Sequence, residues 1–94
     1  MTKMWSVYLI LCDDETLYCG ITNNAPMRLI AHQSGKGARY TRMRGVKQMR
    51  EIVSQLANRS EASKWEWTIK QMTRQEKWAF WESGVVVHTE TPNK

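Results

Sequence analysis

Tyr8 and Tyr18 stand in the strings Ser6-Val7-Tyr8 and Tyr18-Cys19-Gly20. A phenol held on a rigid strand could take a proton from a water aimed at phosphorus. With an ordinary pKa of ~10 it is a poor base at neutral pH, so a metal-bound water and Lys or Arg neighbours would have to lower that value. Tyr18 would hydrogen-bond a phosphate oxygen or order the attacking water, and Gly20 would let a substrate backbone approach the sheet. Arg28 and His32 have the i,i+4 spacing of one helical face, which suits a guanidinium on a nonbridging phosphate oxygen beside an imidazole that donates or shuttles a proton. Glu66 offers a hard carboxylate for Mg²⁺ or Mn²⁺, an ion that one protein oxygen can hold while waters and substrate phosphate complete its shell. Glu61 competes for that role and is assigned to helix capping. Each residue also has an ordinary structural reading: a core tyrosine, a solvent-facing polar stripe, a surface glutamate.

These side chains need a hairpin and at least two helices to hold them. Trp5 to Cys12 is almost continuously apolar and rich in strand formers, and Thr16 to Thr22 is its expected partner. With Asp13-Asp14-Glu15 as the turn, Cys12 faces Thr16, Ile10 faces Tyr18 and Tyr8 faces Gly20. Both phenols then leave the same face of the sheet as diagonal neighbours, and a one-residue change of loop would separate them. Asn24 with Pro26 predicts a helix start, running to about Gln33 and stopping near Ser34-Gly35. The stretch from Gly35 to Arg42 carries two glycines and no helical periodicity, and reads as a surface loop. A third strand is expected from about Gln48 to Leu56. Asn58 with Glu61 opens a second long helix bearing Glu66, and Thr73 with Glu76 opens a third bearing Trp78, Phe80 and Trp81. Ser83-Gly84 breaks it, Val85-Val86-Val87 could pair as a short strand, and Glu90 to Lys94 reads as a frayed tail. The fold class is α+β, with a small central antiparallel three-stranded sheet flanked by helices. One domain is expected over residues 1–82, followed by an extension over 83–94.

At 94 residues the chain suits one core, and its 41% hydrophobic and 24% charged content argues against extensive disorder. Its formal +5 charge is unevenly placed. Lys36, Arg39, Arg42, Arg44, Lys47 and Arg50 follow one another with no acidic residue between them, while Asp13, Asp14 and Glu15 cluster at the hairpin tip. Nucleic acid is the natural polyanionic partner of such a segment, with Lys36, Arg39, Tyr40, Arg42 and Arg44 as its contacts; a solvated basic loop is the plainer alternative. Cys12 and Cys19 fall on opposite faces of the hairpin and read as buried apolar residues, and with His32 and His88 they match no usual zinc spacing. The start lacks a signal-peptide core, and no apolar run approaches the ~20 residues of a membrane span, so a cytoplasmic protein is expected. Four of the five tryptophans, Trp65, Trp67, Trp78 and Trp81, cannot all hide on one helical face, so some could stack on bases or cover a partner.

Taken in order, several pieces resemble the GIY-YIG nuclease family in its small stand-alone bacterial form. They are Val7-Tyr8-Leu9, Tyr18-Cys19-Gly20-Ile21-Thr22, Arg28 and His32, the string from Ser34 to Thr41, and Arg59-Ser60-Glu61-Ala62 leading to Glu66 and Ile69-Lys70. Ser6 stands where the first motif has glycine, and Cys19 where the second has isoleucine. The resemblance implies that Tyr8 and Tyr18 are the active-site phenols, Arg28 the phosphate-binding cation, His32 a supporting acid/base group and Glu66 the ligand of one Mg²⁺ or Mn²⁺. It implies hydrolysis of DNA phosphodiesters, with a role in DNA repair or recombination. The alternatives are a nucleic-acid-binding module without useful chemistry, or a Trp-rich protein-interaction domain acting as a homodimer or with a targeting partner.

Overall fold

The computed structural model describes residues 4–35, 39–83 and 87–88. The apolar run Trp5–Cys12 forms β1 and Leu17–Thr22 forms β2, paired antiparallel in the expected register: Tyr8 opposite Gly20, Ile10 opposite Tyr18. The turn is closed by local chemistry. Cys12 N–H donates to the Thr16 carbonyl at 2.8 Å, and the Asp14 carboxylate accepts from the Thr16 hydroxyl at 2.6 Å and from its amide at 3.2 Å. Glu15 takes a left-handed φ of 66° to complete the reversal.

Helix α1, Ala25–Gln33, starts at Asn24, whose side chain accepts the Met27 amide at 3.2 Å, and Pro26 occupies its first turn. Gly35, with φ +81°, lets the chain leave. The segment read as a loop is in part helical: Arg39–Arg44 forms α2. Six residues are too few to show a periodic apolar face, and so short a helix depends on tertiary contacts, here the burial of Thr41. Gly45 ends it with φ +79°, its amide on the Thr41 carbonyl at 2.8 Å. The positive φ favours glycine there, and a Cβ would in addition lie 2.0 Å from an Asp13 carboxylate oxygen, which would have to swing away.

Strand β3, Val46–Leu56, begins earlier than the apolar pattern indicated and runs antiparallel to β1. Val7 pairs with Val53 but Tyr8 pairs with Glu51, so Ile52 is an extra residue in a bulge. That is why Ile52 and Val53 both reach the same core cluster and why the alternation along this strand looked imperfect. Helix α3, Arg59–Lys70, is capped by Asn58 on the Glu61 amide at 3.0 Å. Helix α4, Arg74–Ser83, opens on a reciprocal capping box: the Thr73 hydroxyl accepts the Glu76 amide at 3.1 Å, and the Glu76 carboxylate accepts the Thr73 amide at 2.8 Å. Val87–His88, β4, lies parallel to β3, completing the order β2-β1-β3-β4. Residues 84–86 and 89–94 lie outside the described residues.

The two sheet faces differ. Val7, Leu9, Cys19, Ile52, Val53 and Leu56 meet Ala62 and Ile69 of α3 and Trp81 of α4 in the main core. Tyr8, Ile10 and Cys12 form a smaller cluster on the opposite face, on the side where α1 and α2 bring His32 and Thr41.

Candidate active site

Strand pairing decides where the first phenol lies. A Cβ at Gly20 would sit 2.3 Å from the Tyr8 hydroxyl oxygen and 2.5 Å from Cζ, so the Tyr8 ring lies across the bare backbone of Gly20. The space that Gly20 leaves open is therefore filled by Tyr8 rather than held for a substrate backbone. Tyr18, two residues back on β2, is half-buried beside it.

His32 joins the two. One turn beyond Arg28 on α1, its ring meets Tyr8 and Tyr18 edge-on, with centroids 5.7 and 5.9 Å away. Its Nε2 is 2.9 Å from the Tyr8 hydroxyl and its Nδ1 is 2.6 Å from Thr41 Oγ1. Tyr8 and His32 are each 3% exposed and Thr41 1%, so the line from phenol through imidazole to threonine is closed to bulk water. Burial raises the proton affinity of both phenols; Tyr18 adds to the effect at Tyr8, whereas the Lys70 charge opposes it at Tyr18. Burial, then the charge of Arg28, holds His32 below the ordinary imidazole value, so it is neutral at pH 7 and one ring nitrogen carries a lone pair. Burial likewise raises the Cys19 thiol to about 12, which removes it as a nucleophile at neutral pH.

Sheet order positions the carboxylate. β2 is an edge strand, and α3 packs chiefly on it, so Glu66 and the residue one turn later, Lys70, come over that edge toward Tyr18. The Lys70 ammonium is 3.3 Å from Glu66 Oε2 and 5.9 Å from the Tyr18 ring centroid. The Glu66 charge acts on Tyr8, Tyr18 and Cys19, and the exposed Arg28 acts on both phenols and His32. Thus Tyr8, Tyr18 and His32 touch, while Arg28 and Glu66 bring opposite charges to the same pair of phenols. Among the described residues no three His, Cys, Asp or Glu side chains group as a metal cage. A single partly exposed carboxylate fits an ion that keeps most of its waters and takes substrate oxygens.

The basic segment divides. Arg42 is exposed, but Arg44 pairs with Asp14, Lys47 lies 4.0 Å from Glu15, and Arg50 donates to the Trp81 carbonyl with its guanidinium 4.6 Å over the Trp81 ring. The acidic hairpin tip therefore takes up part of the positive run. Lys36, and the side chains of Arg39 and Tyr40, lie outside the described residues. The core takes Trp81, and Trp65 and Trp78 pack against it, leaving Trp67 as the exposed ring of α3 at 67%. Sequence reasoning gave Thr41 and Lys70 no role at the site. For Lys70 the i,i+4 spacing from Glu66 was a usable signal; for Thr41, across a turn on a helix read as loop, there was none.

Residues 4–79 match the GIY-YIG catalytic domain family. A UPF0213 protein of Neisseria meningitidis serogroup C is 42% identical over 87 residues, covering 93% of this chain and 94% of the relative. One from Oceanobacillus iheyensis is 46% identical over 77 residues, covering 82% and 88%. The solution NMR structure of a UPF0213 protein from Bacillus halodurans is 32% identical, covers 85% of this chain and 84% of that one, and superposes with a TM-score of 0.47. With its paired phenols, its sheet and a match over most of its length, the chain belongs to the GIY-YIG catalytic domain family, a nuclease family.

Proposed function

We propose that this protein is a divalent-metal-dependent endonuclease that hydrolyses DNA phosphodiesters in the cytoplasm, with residues 1–82 as its catalytic unit. The observation that carries the reading is the 2.9 Å contact between the Tyr8 hydroxyl and Nε2 of a buried, neutral His32. Nε2 accepts the phenolic proton, and the phenolate oxygen takes a proton from the attacking water. The resulting hydroxide forms the new P–O bond as the bond to the leaving ester oxygen breaks with its electron pair. Solvent protonates that oxygen, and the imidazolium, shielded from bulk water, returns its proton through the Tyr8 hydroxyl to water in the substrate site. Arg28 grips a nonbridging oxygen and Tyr18 orders the water or a phosphate oxygen. Glu66 is the residue that would hold Mg²⁺ or Mn²⁺, which when bound supplies positive charge against the burial that disfavours a phenolate and against the charge developing on phosphate. Lys36, Arg39, Tyr40 and Arg42 track the DNA backbone, with Arg44 at the end of α2.

The test is nicking of supercoiled plasmid and of a branched oligonucleotide with Mg²⁺ or Mn²⁺. Tyr8→Phe is expected to lower kcat about 10²–10⁴-fold, and Glu66→Ala to abolish cleavage while salt-sensitive DNA binding persists. Preference for the branched substrate would point to DNA repair or recombination. Binding without metal-dependent cleavage by the wild type would replace this reading with that of a binding module.

A further inference from the structure

A neutral imidazole has one N–H and one lone pair, and both nitrogens of His32 face a hydroxyl in a buried site. Two arrangements satisfy those distances. Either Nδ1–H points at Thr41 and Nε2 accepts from Tyr8, or the roles are reversed. Only the first leaves Nε2 able to take the phenolic proton.

The chemistry of the two hydroxyls favours it. A phenol is a far stronger acid than an alkyl alcohol, so of the two hydroxyls Tyr8 is the better donor and Thr41 the better acceptor.

We propose that Thr41 is the positioning residue of this site: its hydroxyl oxygen accepts the Nδ1–H of His32, which selects the tautomer whose Nε2 lone pair faces Tyr8. Thr41 acts only through His32. Among the described residues the groups facing the imidazole are Tyr8 from β1, Tyr18 from β2, Arg28 from α1 and Thr41 itself from α2, and none of these adds a negative charge that would hold a second proton on the ring. The catalytic consequence rests on the nuclease reading above; the tautomer does not.

The experiment is a two-bond ¹H–¹⁵N correlation spectrum of the uniformly labelled protein near neutral pH, where the two ring nitrogens of each tautomer give distinct patterns. The chain holds two histidines, and His88→Gln assigns the signals. The expected result is the Nδ1–H tautomer at His32 in the wild type, in Thr41→Ser and in Tyr8→Phe, with a shift toward Nε2–H in Thr41→Val. Wild-type protein in the Nε2–H form overturns the proposal without recourse to any variant, as does a folded Thr41→Val that keeps the wild-type pattern. In cleavage, Thr41→Val is expected to lower kcat about 10–100-fold, as when the partner that orients a metal-bound histidine is lost, with KM little changed and Thr41→Ser restoring the rate. A loss confined to KM would overturn the positioning role. Should the wild type fail to cleave, the nuclease reading falls while the spectra still decide what Thr41 does to His32.

Discussion

The tripeptide Val7-Tyr8-Leu9 sends side chains to two sheet faces that obey different rules. Val7 and Leu9, both fully buried, enter an apolar cluster closed by Ala62, Ile69 and Trp81, where any side chain of the right volume can satisfy its neighbours. Tyr8 enters a face whose burial depends on polar partners: its hydroxyl needs His32, and His32 needs Thr41. Among the described residues no buried side-chain nitrogen or oxygen is left unsatisfied, so that polar line is complete as built. The difference teaches that adjacent residues of one strand can serve stability and chemistry separately, because the pleat sends alternate side chains to opposite faces.

The sharpest way to break this division is to damage each face and read both stability and cleavage. Leu9→Ala opens a cavity beneath α3 and α4 and is expected to cost about 2–5 kcal/mol in chemical denaturation, while the rate per folded molecule stays near wild type. A loss below about 1 kcal/mol, outside the range for a buried leucine, would show that this face is not the stabilising one. Gly20→Ala comes next. Its methyl would fall 2.3 Å from the Tyr8 hydroxyl, and the expected cost is about 1–3 kcal/mol from overpacking. Displacing the phenol from His32 should also slow cleavage by about 10²-fold. Unchanged cleavage would mean that the position of Tyr8 does not govern the reaction. Trp67→Ala is the smallest change: at 67% exposure the ring supports neither face, and the free energy of unfolding in chemical denaturation should change by no more than about 0.5 kcal/mol. A larger loss would reveal packing that the comparison of the two faces leaves out.

Much of the fold was legible because its signals are local. The acidic turn of Asp13-Asp14-Glu15 defines the β1/β2 register, and that register alone puts Tyr8 across from Gly20. Asn24, Asn58 and the Thr73/Glu76 pair start helices through hydrogen bonds within one turn. The meaning of Gly20 was within reach of the same register argument, since a bulky ring opposite a glycine can lie across its backbone. The bulge at Ile52 was not, because an extra residue in a strand is defined only against its partner.

By itself, then, the sequence determined the hairpin, the capped helices and the presence of two phenols on one face, all of which follow from interactions between residues a few positions apart. Tertiary structure alone decided that α2 is a helix, that Thr41 closes on His32, that Asp14 claims Arg44, and that α3 crosses the β2 edge so that Glu66 and Lys70 reach Tyr18. Those contacts join residues that are on different elements, nine or more positions apart. Their geometry comes from how helices cover a twisted sheet, which no spacing rule along the chain encodes.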